Sequence, residues 1–365
     1  GFREKLHGKS GMDKKFWKNK NVFITGHTGF KGSWLSIWLN ELGANITGYS
    51  LEPRNNPSMF QSLSIDKKIK TVFGDIRNYD DLKGQITIAE PEIIIHMAAQ
   101  ALVLDSYHNP IETYQTNVMG TVNILNVIRE VPSVKVFINV TSDKCYENKE
   151  NSKAFKESDI LGGADPYSSS KACSELVTAS YRDSFFKDTI AIATARAGNV
   201  IGGGDWAPNR IIPDFIKKIN KNQKILIRNP AAIRPWQFVL EPLSGYLLLA
   251  EKLFLEGLGY AESWNFGPDN QDDKSVEWLI SEIDKEYGGG NNFEIELNEN
   301  RLYEANHLQL DCSKSTKRLN WSSRLPIKKS ISMTCDWYKN FYGDNQDMYA
   351  FTLKQIKQFE LNIKR

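Results

Sequence analysis

A chain of 365 residues, 41% of them hydrophobic, is long enough to bury a substantial core and excludes disorder as its main state. Its 46 Lys and Arg against 44 Asp and Glu leave a formal charge of +2, which argues against a nucleic-acid or membrane-surface partner and toward a small-molecule one. Cys145, Cys173, Cys312 and Cys335 are scattered without Cys-x-x-Cys spacing, so neither a disulfide framework nor a metal site is expected and a reducing compartment is the simpler setting.

The first twenty residues are basic and polar, without the apolar core of a signal peptide, and no later segment approaches the roughly 20 apolar residues needed to span a bilayer. A cytoplasmic protein is expected. Residues 1–17 read as a tail, loosest over Gly8–Lys15.

From Asn21 the pattern alternates short apolar or β-branched runs with longer helix-like stretches, the rhythm of βαβ units in a parallel sheet. Strands are expected at Asn21–Thr25, Asn45–Tyr49, Lys70–Phe73, Ile93–Met97, Lys135–Val140 and Ile190–Ala195. Helices are expected near Lys31–Leu42, Asp80–Ile86, Ile111–Arg129 and Tyr167–Phe185. The fold class is therefore α/β, a Rossmann-type doubly wound parallel sheet of about six strands over residues 18–198. After Asn199 the rhythm breaks into Gly202-Gly-Gly-Asp-Trp206 and Arg234-Pro-Trp236. Residues 199–365 read as a smaller mixed lobe that binds substrate, with some segments returning to the first domain and with Arg301–Asn320 and Trp337–Tyr342 completing it.

The first strand runs into Gly26-His-Thr-Gly29-Phe-Lys-Gly32, which opens directly into a helix. Glycine permits a tight turn and close approach of backbone N–H groups to a pyrophosphate, which then sits on the positive end of the helix dipole. In this context Gly26, Thr28, Gly29, Phe30 and Gly32 are candidates for binding a dinucleotide such as NAD; an ordinary glycine-rich turn is the alternative. An acid usually ends the second strand to hold the ribose hydroxyls. Here Ser50 stands in that place, with Glu52 two residues on, so NAD and NADP are not separated, and Arg54 is either a 2′-phosphate contact or a solvated loop residue. Asp75, followed by Ile76, is a candidate for the adenine amino group or else a turn residue. Ala98-Ala99-Gln100 after the fourth strand complete the cofactor set.

Two motifs at the carboxyl ends of later strands carry the chemistry. The first is Val140-Thr-Ser142-Asp143-Lys144-Cys-Tyr146. The second is Tyr167-Ser-Ser-Ser-Lys171, whose i, i+4 spacing puts phenol and ammonium on one face of a helix. A tyrosine between a lysine and a nicotinamide cation has its phenolate favoured, so Tyr167 is the candidate base for taking a hydroxyl proton as hydride leaves the same carbon, with Lys171 as its tuner and a ribose anchor.

With these motifs the chain resembles the extended short-chain dehydrogenase/reductase family and, within it, the nucleotide-sugar 4,6-dehydratases, in particular those acting on CDP-linked glucose. The resemblance rests on Gly26–Trp34, Thr141-Ser-Asp-Lys-Cys-Tyr-Glu-Asn148, Leu161–Lys171 and Arg234-Pro-Trp-Gln237, and runs from about Lys18 to the C-terminal aromatic helix. It implies oxidation at sugar C4 by NAD, loss of water across C5 and C6, and hydride return to C6. It assigns Asp143 as the acid for the C6 hydroxyl and Lys144 as the base for C5; a structural ion pair between them is the alternative. Ser142 would hydrogen-bond the C4 oxygen. Asn199, Arg210 and Arg234 are candidates for the substrate's sugar and diphosphate, because arginine forks suit phosphate oxygens.

Two stretches depart from the group's pattern. Ala101-Leu-Val-Leu-Asp105 stands where a proline and basic residues are usual, and Asn151-Ser-Lys-Ala154 where a tryptophan-containing segment is. The resemblance also implies a homodimer pairing through Ile111–Arg129 and Tyr167–Phe185. Competing readings are an epimerase, decarboxylase or reductase of the same family, a dehydratase for a GDP-, UDP- or dTDP-linked sugar, and, in another class, a non-catalytic NAD(H)-binding regulator.

Overall fold

In the computed structural model, residues 12–150, 153–227, 229–268, 273–295, 308–343 and 347–363 are described. Residues 1–11, Asn151, Ser152 and Arg301–His307 lie outside them, so the readings made on those positions have no structural counterpart.

The six expected strands form within a residue or two of their predicted ends: β1 Asn21–Thr25, β2 Asn45–Ser50, β3 Lys70–Phe73, β4 Ile93–His96, β5 Val136–Val140 and β6 Ala191–Ala197. All are parallel, and the sheet has seven strands rather than six, in the order β3-β2-β1-β4-β5-β6 followed by Ser263–Phe266. The seventh strand escaped the sequence reading because it lies far beyond the break in the βα rhythm. Its register, Ser263 opposite Thr194 through Phe266 opposite Ala197, covers the edge of β6.

Side chains alternate across the sheet as strand geometry requires. Val22, Ile24, Ile93, Ile95, Val136, Ile138 and the alanines of β6 face one core, with Trp34 and Trp38 of the helix Phe30–Glu41 and Leu243, Tyr246 and Leu247 of Leu240–Glu256. Phe23, Ile94, Phe137 and Ile192 face the other, against Leu82, Ile86, Ile124 and Leu125. Each fully buried side chain of this size contributes about 1.5–3 kcal/mol. With both faces covered, the strands are buried throughout, which explains their near-continuous apolar runs.

One further expectation is corrected and another is refined. The tail is folded from Met12 onward: Asp13 caps the helix Lys14–Trp17 by accepting from the Lys15 N–H, and Trp17 is buried with its Nε1 donating to Glu251 Oε1 at 2.6 Å. The apolar face of Trp17 anchors it there despite the basic composition around it. The long helix expected at Ile111–Arg129 runs without a break over Pro110–Ile128 but carries a π turn, Gln115–Met119, between its α-helical parts Pro110–Tyr114 and Gly120–Ile128. The π turn aims Asn117 inward, where its Oδ1 accepts from the Gln100 N–H at 2.8 Å and its Nδ2 donates to the Gln100 carbonyl and to Ser170 Oγ, each at 2.9 Å. Such turns are local insertions that redirect one side chain.

Candidate active site

The strand order reverses between β1 and β4, and a cleft of about 1800 Å³ opens at the carboxyl ends of the strands, where open α/β sheets bind their ligands. Every cofactor, catalytic and substrate residue named from the sequence lines this one cleft.

Its floor is the turn after β1. Gly26 has φ +78°, and a Cβ there would lie 2.7 Å from the Ala98 nitrogen; a Cβ on Gly32 would lie 2.1 Å from the Gly26 carbonyl oxygen. Side chains at these two positions would fill the cradle, so glycine is demanded by the turn itself. Gly29 caps the helix Phe30–Glu41 with no side-chain hydrogen bond, leaving its first N–H groups free for an anion. The residues therefore fit a dinucleotide pyrophosphate.

The adenosine side has a different chemistry from the usual acidic one. Ser50 is buried and shares a 2.9 Å hydrogen bond with Thr28 Oγ1, which also donates to the Leu51 carbonyl. Arg77 grips the Asp75 carboxylate with Nη2 2.6 Å from Oδ2, and this hydrogen bond holds the carboxyl below its ordinary range. Asp75 thus reaches the cleft already paired. Arg54 pairs with Glu112 at 3.1 Å on the surface. Ile76 is buried beneath this wall, and Ala98 donates its N–H to Thr25 Oγ1. The Gln100 side chain is spent on Leu102 and Thr113 and its main chain on Asn117, so with Ala99 it shapes the cleft wall.

Tyr167 sits at the second position of Pro166–Phe185, a helix capped by Asp165 and started by proline. Its N–H donates to Ser106 Oγ at 3.2 Å, which ties it to the short helix Val103–His108 grown from the atypical Ala101–Asp105 stretch. Burial pushes the Tyr167 phenol up to about 12, while the neighbouring Ser142 hydroxyl and then Arg210 pull it down. Burial lowers Lys171 to about 8, opposed by the charge of Glu175, and its Nζ donates to the Val140 carbonyl at 3.3 Å.

Ser142 lies two residues past β5 and caps a single turn, Asp143–Cys145, accepting from the Lys144 N–H at 3.2 Å while its hydroxyl donates to Asp143 Oδ1 at 3.1 Å. Asp143 Oδ2 is buried with no hydrogen-bond partner. No ion pair joins Asp143 to Lys144 among the described residues, so the structural pairing weighed against catalysis is absent there.

Across the cleft, Arg210 Nη1 meets Asp205 Oδ2 at 2.9 Å. Arg234 is buried on the short strand Ile233–Pro235, its Nη1 donating to the Ile233 carbonyl at 3.0 Å. The Asn199 carbonyl accepts from the Gln237 N–H, leaving the side chain on the cleft wall.

Three residues that shape the site were missed. Lys31 lies in the cleft near Arg210, Lys171 and Asp143; burial first, then the two cations, lowers it to about 8. A cation in the first turn of a helix opposes the dipole, and that was its signal. Asp205, which holds Arg210, and Asn117, which holds Gln100, have no local signature.

A parallel sheet with a glycine turn at its switch point and a buried Tyr-x-x-x-Lys pair opposite defines a Rossmann-type enzyme of the short-chain dehydrogenase/reductase class. The family described as GDP-mannose 4,6 dehydratase matches residues 23–334, and the chain belongs to this family of nucleotide-sugar dehydratases. It is 45% identical over 354 residues to the CDP-glucose 4,6-dehydratase of Salmonella typhimurium, covering 95% of this chain and 98% of that protein. It is 27% identical to the human dTDP-D-glucose 4,6-dehydratase, covering 89% of this chain and 91% of that protein. Among solved structures, the dTDP-glucose 4,6-dehydratase of Streptomyces venezuelae with NAD bound superposes with a TM-score of 0.76 at 22% identity, over 87% of this chain and 96% of that one. The UDP-glucose 4-epimerase of Thermotoga maritima reaches the same TM-score at 19% identity, over 88% and 99%; at such identities the likeness is one of fold.

Proposed function

We propose that this enzyme removes water from a nucleotide-linked hexose, converting CDP-glucose to CDP-4-keto-6-deoxyglucose with bound NAD. The observation that carries this reading is the convergence on one cleft of two functional sets: Tyr167, Ser142 and Lys171 for a carbinol, and the unpaired Asp143 Oδ2 with Lys144 for an elimination. Similarity to a CDP-glucose 4,6-dehydratase over nearly the full length of both chains supports the choice of nucleotide and sugar.

NAD held on the Gly26–Gly32 turn would supply a hydride acceptor for C4 and later a hydride donor for C6, leaving no net redox change. Tyr167 takes the C4 hydroxyl proton, and Ser142 hydrogen-bonds the same oxygen as it becomes a carbonyl. Lys171 lowers the cost of the phenolate and turns toward the ribose. Lys144 removes the C5 proton, which the adjacent ketone has made acidic, and Asp143 delivers a proton to the departing C6 hydroxyl, which leaves as water. Arg210, Arg234 and Asn199 hold the diphosphate and sugar.

The same reading extends to a cytoplasmic homodimer. No helix among the described residues is long and apolar enough to cross a membrane, and Ile111 at 73% and Leu176 at 59% exposure stand out on the two helical segments expected to pair, where uncovered apolar surface asks for a partner.

The test is mass spectrometry of the products after the purified protein meets CDP-, dTDP-, UDP- and GDP-hexoses separately with NAD. Loss of one water from CDP-glucose alone is expected; water loss from another sugar corrects the specificity, and none from any sugar overturns the dehydratase reading.

A further inference from the structure

Behind the cleft lies a charged pair that the chemistry above does not use. Glu175, one turn past Lys171 on the same helix, and Arg196 on β6 meet at 2.7 Å with both side chains almost fully buried. Such a pair is weak evidence for stability, because desolvation offsets most of its attraction and well-packed apolar residues do as well. What it holds is therefore the question.

Its hydrogen bonds run to the two ends of one loop. Glu175 Oε1 accepts from the hydroxyl of Thr141, the residue before Ser142, while Oε2 accepts from Thr194 at 2.7 Å. Arg196 Nη1 donates at 2.8 Å to the hydroxyl of Tyr146, the second residue after Lys144. That hydroxyl in turn donates to Asn265 Oδ1 at 2.7 Å, on the seventh strand, and the Tyr146 ring stacks on Phe155 at 4.9 Å. Ser142, Asp143 and Lys144 are thus carried on a loop strapped at both ends to the same ion pair, and that ion pair is rooted in the helix carrying Tyr167 and Lys171.

We propose that Glu175 and Arg196 are positioning residues that hold the elimination loop in register with the oxidation helix, so that the groups acting at C5 and C6 stay aligned with the group acting at C4. This rests on the dehydratase reading. Tyr167 and Lys171 are fixed by their own helix, whereas Asp143 and Lys144 depend on the straps. Loosening the strap at Tyr146, behind Lys144, therefore penalises water loss more than C4 oxidation, and the sugar stalls after losing two hydrogens; loosening the one at Thr141 shifts Ser142 as well and slows both steps.

Glu175→Ala would strand a buried guanidinium and unfold the protein, so the straps are better cut at their far ends. Tyr146→Phe keeps the ring and its stacking; Thr141→Val keeps the shape. With NAD-loaded enzyme in excess over CDP-glucose, samples are quenched over time and nucleotide sugar lacking two hydrogens is counted separately from that lacking water. In Tyr146→Phe oxidation is expected near the parent rate with water loss slowed by roughly tenfold or more, the scale of a small misplacement of reacting groups; Thr141→Val, beside Ser142, is expected to slow both steps. In Tyr146→Phe a proportional fall in both steps, or no change in either, overturns the proposal while leaving the dehydratase reading intact, and so does an unchanged Thr141→Val. A parent enzyme that removes no water from any nucleotide hexose overturns the functional reading, and this inference with it.

Discussion

Asp205 Oδ2 lies 2.9 Å from Arg210 Nη1, and the main chain of Asp205 is itself clasped by Tyr338, whose hydroxyl accepts from the Asp205 N–H and donates to its carbonyl at 2.5 Å. The position of Arg210 on the cleft is thus tied through Asp205 to the helix Ile327–Tyr342. If Arg210 meets the substrate's anionic part, Asp205→Asn should raise KM about tenfold with little change in kcat, the worth of one charge-assisted hydrogen bond being roughly 1–3 kcal/mol. Steady-state kinetics decide this, and a fall in kcat alone would move Arg210 from binding to chemistry.

Tyr167→Phe removes the hydroxyl proposed to take the C4 proton and leaves the buried ring in place. Loss of oxidation by roughly 10²–10⁴-fold is expected, the ordinary worth of a positioned acid–base group. Thermal melting within a degree or two of the parent should show that the fold is intact. Retention of full activity would require another base at C4.

Asp143→Asn and Lys144→Met should behave differently from Tyr167→Phe. Each leaves oxidation possible and blocks elimination, so quenched reactions should contain nucleotide sugar short of two hydrogens and little that has lost water. If both variants fail before C4 oxidation, the division of labour between loop and helix is wrong.

Lys171 is a test of charge burial. Its folded pKa of about 8 lies below the usual lysine value of 10.5, so the folded state binds its proton less tightly than the unfolded state. The cost is present in full below pH 8 and is relieved as pH rises from about 8 to 10.5, where only the unfolded chain is still protonated. In protein without cofactor, Lys171→Met should melt higher than the parent at pH 7, by an amount on the order of 2–3 kcal/mol, and the gap should close above pH 10. A gap that is constant with pH would trace the effect to packing instead of charge.

The extent to which these features were legible in the sequence follows the range of the interactions behind them. The parallel sheet could be read because strands buried on both faces are nearly continuous apolar runs. Gly26, Gly29 and Gly32, and the Tyr167 and Lys171 pair, could be picked out because turn geometry and one helical turn are short-range rules. Asp205, Asn117 and the Glu175 to Arg196 pair could not. Their partners are fixed by the packing of helix on sheet, and Asn117 depends on a π turn that departs from regular helical spacing. Trp17 failed differently: one large apolar side chain outweighed the basic residues around it, and a segment expected to be loose is docked onto Glu251.

The strand Ser263–Phe266 has a consequence for how relatives of this enzyme exchange specificity. It comes from the stretch that also carries the candidate substrate arginines Arg210 and Arg234, yet it completes the sheet beside β6 and brings Asn265 to the Tyr146 hydroxyl. A chimera made by swapping everything after Asn199 would therefore replace part of the catalytic scaffold along with the sugar pocket. Grafts confined to the chain segment that joins β6 to the helix Leu240–Glu256, residues 198–239, would leave that strand in place.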